Sequence, residues 1–382
     1  MKLAQMALAV ALLSAPLCAQ RHKLGTINTE TPEGQLLAQI GQEADEGKKL
    51  AMMEDFAGKY PKHEALGWVY EQTYQAYQKA NQLDKGLAVC DKLLTLDPED
   101  ARSAHGCLKI AEATKNPDTV KTWSTRTSEI ARKVAASPKP SAEDEVETWK
   151  ERVDFAKQFD VYTVYTMYAA ALATPDAKKK GELMEAIEQR DEKYEHLPAL
   201  RDHVFRSLLA ANDIAGAQAM ADKMVDKGLA GEDMLLVSAD AAFNKKDYDR
   251  TQSCATKVVA MVSSKAKPDG MSDADWEVRK NNLLGRAYWL EGVSYGIQNK
   301  HAQADKTLRA GVPFMTGNDQ LLAGAYFYLG LANFKMGDTK VPDEKRILDA
   351  LKFNEQCAAI KGPFQAPAQR NIKAIRQQFH IK

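Results

Sequence analysis

From Thr31 onward the apolar positions return every third or fourth residue, the spacing that gathers them on one side of a helix. Pro61, Pro98, Pro117, Pro138, Pro175, Pro198, Pro268, Pro313 and Pro363 stand between these stretches. A proline lacks the backbone donor and its ring clashes with the preceding turn, so each marks a helix boundary. Between them the chain is rich in Ala, Leu, Lys, Glu, Gln and Met, which lose little on entering a helix. No stretch sustains the period-two alternation of a half-buried strand. The pattern predicts an all-α chain.

The helices come in pairs of recurring length, the mark of an internal repeat. The clearest unit is Gly67 to Asp100, GWVYEQTYQAYQKANQLDKGLAVCDKLLTLDPED. It resembles a tetratricopeptide repeat (TPR). Tyr70 and Tyr77 stand at the aromatic positions of the first helix, and Gly86 at the small-residue position where paired helices cross. Cys90 and Leu93 face the next helix, and Pro98 closes the unit. Thr73–Tyr74 replaces the family's Leu-Gly pair, which predicts a wider opening there.

A second unit, 232–263, has Asp247–Tyr248 at its turn and Ala255 and Val258 on its second helix. A third, 285–316, carries Tyr288, Gly292 and Tyr295, then Ala304 and Leu308. A fourth, 323–362, carries Tyr326, Leu329–Gly330 and the Gly337–Asp338 turn, with an insertion from Thr339 to Lys345 before its second helix resumes at Ile347. Residues 33–61, 101–135, 143–198 and 199–229 read as weaker pairs.

The resemblance implies a right-handed superhelical solenoid of antiparallel helix pairs over residues 31–382, with candidate bends at the loops 137–143 and 264–273. Each pair has too many apolar faces to fold alone and buries them on its neighbours. The last helix, about 367–380, reads as a cap: Ile372, Ile375 and Phe379 form one stripe, while Arg370, Lys373 and Arg376 point away.

The first residues carry a different signal. Met1–Lys2, an apolar run from Leu3 to Leu13 and then Ser14-Ala15-Pro16-Leu17-Cys18-Ala19 read as a secretory signal peptide over 1–19, cleaved after Ala19. Residues 20–30 read as a flexible N-terminal segment. The expected destination is the periplasm; secretion, or lipid attachment at Cys18, is the alternative, although Leu17 is larger than the residue that normally precedes a lipidated Cys. No later segment approaches eighteen unbroken apolar residues, so no membrane span is expected. The other cysteines are Cys90, Cys107, Cys254 and Cys357. They read as small buried residues, and only Cys90 and Cys107 are near enough in sequence for adjacent helices to pair them.

Composition narrows the function. Fifty-two Lys+Arg balance fifty-two Asp+Glu, which leaves no charge excess to drive nucleic-acid binding. The Lys178–Lys180 run, near Asp176 and Glu182, reads as a solvated surface. His22, His63, His105, His196, His203, His301 and His380 make no HExxH spacing, there is no CxxC pair, and His196 and His203 straddle Pro198; all seven read as surface histidines, with no metal expected. Walker, Rossmann and GxSxG signatures are missing, so no cofactor and no enzyme activity are expected.

Two aromatic groups stand out. Phe155, Phe159, Tyr162, Tyr165 and Tyr168 share one broad helical face and read as core packing rather than a ligand groove. The second group follows from the repeat register, because in the TPR family the first helices line the concave surface and partners bind there. That register puts Arg286, Trp289, Phe327, Leu331 and Phe334 on the inner face as candidate binding residues, beside the polar Glu71, Gln75, Gln78 and Asp240. The alternative is that residues 361–366 or the capping helix cover this patch. The resemblance thus implies a non-catalytic scaffold of a bacterial cell envelope that binds a protein or peptide on its concave face. A glycan- or small-ligand-binding repeat module and an envelope-assembly lipoprotein are the rival expectations.

Overall fold

The computed structural model describes residues 21–381; the expected signal peptide over 1–19, its expected cleavage point and Cys18 lie outside the described residues. Among the described residues every regular element is helical: α1 (Pro32–Gln42), α2 (Glu46–Lys59), α3 (Leu66–Lys79), α4 (Leu83–Leu96), α5 (Ala101–Ala113), α6 (Pro117–Ala135), α7 (Glu143–Ala173), α8 (Ala177–Arg190), α9 (Leu197–Ala210), α10 (Ile214–Asp226), α11 (Glu232–Asn244), α12 (Tyr248–Ser264), α13 (Asp273–Ile297), α14 (His301–Gly311), α15 (Asp319–Gly337), α16 (Glu344–Ala358) and α17 (Gln365–Phe379). One 3₁₀ turn, Val312–Met315, follows α14. None of these helices is long and apolar enough to cross a membrane.

The chain divides into two compact units, Met1–Val204 and Phe205–Lys382, the division falling inside α9. In the first unit each helix packs on its chain neighbour, and α3, α5 and α7 also pack on one another in turn. The second unit repeats the scheme, with α11, α13 and α15 as the consecutive first helices. Short turns join the members of each pair, so they run antiparallel, as the repeat pattern predicts.

The turns themselves repeat. Asn81, Lys115, Asn212, Lys246 and Asn299 each take a positive φ between the two helices of a pair. In four of the turns the next residue's N–H reaches back to a carbonyl five residues earlier: Gln82 to Tyr77, Asp213 to Leu208, Asp247 to Ala242 and Lys300 to Tyr295, each at 2.9 Å. This Schellman closure satisfies carbonyls that the helix end leaves open. Asn tolerates the left-handed region better than Lys, so the two lysines are held there by the turn around them. The second helix is then started by a capping side chain in several pairs, as when Asp247 Oδ1 accepts from Arg250 N at 3.1 Å.

The cores are sequences of interlocking layers. In the first unit Leu37, Ile40, Met53, Phe56 and Val69 form one cluster; Tyr74, Tyr77, Leu93, Leu108, Ile110 and Trp123 form the next. Cys90 and Cys107 sit inside the second cluster as a disulfide joining α4 to α5, while Cys254 and Cys357 are buried and free. The expected widening at Thr73–Tyr74 is met on the neighbouring helix. Tyr74 is buried, and a Cβ on Gly106 of α5 would lie 2.6 Å from its hydroxyl oxygen, so the missing side chain at 106 makes the room. The C-terminal helix caps as expected: Ile375 is buried, and Ile372 and Phe379 pack with it on Ile347 and Leu351 of α16.

Candidate functional site

The five residues nominated from sequence lie on α13 (Arg286, Trp289) and α15 (Phe327, Leu331, Phe334), and all five are half-buried. Arg286 Nε donates to Asp240 Oδ1 of α11 at 3.0 Å, and the guanidinium carbon lies 4.9 Å from the Trp289 ring centroid. Trp289 is wedged between Phe243, 5.5 Å away centroid to centroid, and Gly324, where a Cβ would come within 2.6 Å of the indole nitrogen. That nitrogen is buried without an acceptor, so the ring serves packing. The Phe327 ring lies 5.1 Å from Phe364, and Phe334 meets Phe379 edge-on at 6.4 Å. Leu331 and Phe334 line a cleft of about 240 Å³ closed by Asn371 and Ile375 of α17. Residues 361–366 and the capping helix therefore lie over the α15 half of this patch. The physical reason is that no further helix pair packs on α15 and α16 among the described residues, so 361–366 and α17 cover the apolar face that such a pair would bury.

The first unit presents a different surface, on α5 and α7. Arg102, His105 and Lys109 recur at helical spacing on α5, opposite Phe155, Phe159 and Tyr162 on α7. The Arg102 guanidinium lies over Phe155, the His105 ring is 3.8 Å from Phe159, and Lys109 Nζ stands 4.2 Å over Tyr162. The Tyr162 hydroxyl donates to Glu112 Oε1 at 2.6 Å, and Lys109 pairs with Glu112 Oε2 at 2.9 Å. The imidazole of His105 is pushed down to about 3 by burial, aided by the Lys109 charge, and its Nε2 has no partner. The aromatic face on α7 is thus divided. Phe159 is core, Phe155 and Tyr162 are half-buried along the seam, and Tyr165 is 43% exposed.

At the N-terminal end of α5 this seam opens into a cleft of about 510 Å³. Arg21 and Lys23, Glu99 to Arg102, Val134, and Thr148, Glu151, Arg152 and Phe155 of α7 line it. Arg21 is committed to Asp97, Glu99 pairs with Lys133, and Asp100 holds His22. Lys23, Arg102, Arg152 and Glu151 form no ion pair among the described residues, although Glu71 is close enough to feel the Arg102 charge. A size suited to a few side chains, one aromatic ring in the lining and a surplus of cations without ion pairs describe a site for an anionic group with an apolar neighbour.

The segment before α1 has named partners. His22 Nε2 lies 3.1 Å from Asp100 Oδ2 and 3.6 Å from Asp97 Oδ2, and a Cβ on Gly67 would come within 2.4 Å of His22 Nδ1. The hydrogen bond to Asp100 raises the His22 imidazole above its usual range. Burial opposes ionisation of Asp100, yet hydrogen bonds from His22 and Ser103 bring its carboxyl below the usual range. His22 is therefore not the free surface histidine that the sequence alone suggests. Its acidic partners lie more than seventy residues away, and no spacing rule connects them.

No family model matches the chain, and no curated protein matches it. Among solved structures the chain is similar to the TPR domain of P58(IPK), at 9% identity over 92% of this chain and 99% of that one, with a TM-score of 0.28. It is similar also to yeast Tom70, at 13% identity over 99% of this chain and 79% of that one, again with a TM-score of 0.28. The TPR-like character of the fold rests on the paired helices and their repeated turns described above.

Proposed function

We propose that this chain acts by recognition rather than catalysis, as an exported helical-repeat scaffold of a bacterial cell envelope that binds an acidic segment of a partner protein. The observation that carries this reading is the cleft at α5 and α7, where Lys23, Arg102 and Arg152 line one space with Phe155, none in an ion pair among the described residues, and Arg102 lies over the ring. Side chains held on stacked helices lose little freedom on docking, which favours binding an extended segment. An unpaired cation at a rim gains most from a carboxylate brought by the partner. The buried Cys90–Cys107 bond supports an oxidising compartment, in keeping with the leader-like first residues and a periplasmic destination.

The test is fluorescence anisotropy with a labelled peptide alternating Glu and Leu, compared with its Gln–Leu counterpart. The acidic peptide should bind, more weakly as salt rises, and Arg102→Glu/Arg152→Glu should abolish the binding while far-UV circular dichroism stays unchanged. Equal binding of both peptides, or full binding by the double variant, would remove the cleft as the site. Binding of a small dicarboxylate as tight as that of the peptide would instead favour the small-ligand reading.

A further inference from the structure

We propose that His22, Asp97 and Asp100 form a binding site for a divalent transition-metal ion, zinc in first place, that ties the segment before α1 to the start of α5. The three side chains come from two stretches far apart in sequence, and each offers a ligand atom within 4.8 Å of the others. Ligand atoms about 2.1 Å from one tetrahedral zinc ion stand about 3.4 Å from each other. The separations from His22 Nε2, 3.1 Å to Asp100 Oδ2 and 3.6 Å to Asp97 Oδ2, lie on either side of that value.

The surroundings have the form of an outer shell. Asp100 Oδ1 accepts from Arg102 N at 3.1 Å and Ser103 N at 3.0 Å, which leaves Oδ2 turned to His22. Asp97 Oδ1 accepts from Arg21 Nη2 at 2.9 Å and Glu99 N at 3.3 Å, and its Oδ2 faces the same imidazole. Asp100 is thus oriented through one oxygen and offers the other, the arrangement by which outer groups aim metal ligands, while Arg21 holds both oxygens of Asp97. Arg21 Nε also lies 2.5 Å from Asp97 Oδ2; on metal entry Arg21 keeps Oδ1 and yields Oδ2.

Glu71 of α3 lies near enough to exchange electrostatic influence with His22, Asp100 and Arg102. One imidazole with carboxylates suits zinc better than magnesium or calcium, which favour all-oxygen shells. The proposal does not depend on what occupies the neighbouring cleft.

Calorimetric titration of the purified, chelator-stripped protein with zinc chloride tests it, after mass measurement confirms that His22 is present. One equivalent of zinc should bind, and His22→Ala and Asp97→Asn should each weaken it at least about tenfold. Both substitutions avoid Asp100, whose loss as the α5 cap would confuse folding with binding. His196→Ala, at an exposed imidazole beside Glu195, should leave the titration unchanged. The ¹⁵N shift of the His22 ring should move to that of a metal-bound nitrogen on zinc addition. Absence of a one-equivalent isotherm, wild-type binding by His22→Ala, or equal competition by magnesium would each overturn the proposal.

Discussion

The Arg102 guanidinium stands over the Phe155 ring, its central carbon 5.1 Å from the ring centroid, and so joins α5 to α7 at the mouth of the cationic cleft. No carboxylate is in ion-pair contact with it among the described residues, although Glu71 is close enough to feel its charge, and the ring is its stacking partner. Phe155→Leu should keep most of the packing and cost about 1 kcal/mol or less of stability. Loss of the oriented cation should still weaken the acidic peptide several-fold. Urea denaturation and peptide anisotropy on the same variant separate the two effects; unchanged peptide affinity would show that the stacking has no part in binding.

The Cys90–Cys107 bond closes a loop across 17 positions inside the first unit's core. Constraining a loop of that size stabilises by roughly 3 kcal/mol through the unfolded chain. Cys90→Ser/Cys107→Ser should lower the urea midpoint accordingly, and both sulfurs are fully buried, so reductant should act slowly on the folded protein. Peptide mapping without reductant gives the direct check: two free thiols at these positions would refute the pairing.

His105 predicts acid sensitivity with a definite sign. Its pKa falls from 6.5 when unfolded to about 3 when folded, so the unfolded chain takes up a proton first as pH drops. The contribution is complete above pH 6.5 and declines from there toward about 3. His105→Gln should flatten the dependence of the thermal midpoint between pH 6 and pH 4, relative to wild type. An identical slope in both proteins would mean that other groups govern acid unfolding.

Ending the chain at Lys361 removes Phe364 and Phe379, the rings that meet Phe327 and Phe334. The exposed α15 face should then bind a hydrophobic dye, and the thermal midpoint should fall. Ile375→Ala, a single buried truncation, should cost about 2–4 kcal/mol without exposing the whole face. A shortened protein that keeps its midpoint and ignores the dye would show that α17 is not a cap.

Much of the architecture was legible because it depends on local rules. The prolines, the helical spacing of apolar residues and the polar face of the last helix placed the pairs and the cap near their observed bounds. The turn residues were a missed signal: Asn81, Asn212 and Asn299 recur where the left-handed residue is needed, and only the lysines at 115 and 246 blur the pattern. The long start of α13, from Asp273, escaped the repeat register because the register follows conserved-looking crossings rather than helix ends.

The candidate site was legible only in part. Arg286, Trp289, Phe327, Leu331 and Phe334 do lie on first helices, yet the register cannot say what covers them. Phe364 and Phe379 do so from beyond the last repeat, and Asp240 from the preceding one. Helix identity, pairing and capping are set by neighbours a few residues away, so the sequence by itself determined them. The Cys90–Cys107 bond, the neutral His105, the cleft around Phe155 and the junction of His22 with Asp97 and Asp100 depend on which distant side chains share a space. Tertiary structure alone decided these, because charge, solvation and hydrogen bonding act through distance in space and not along the chain.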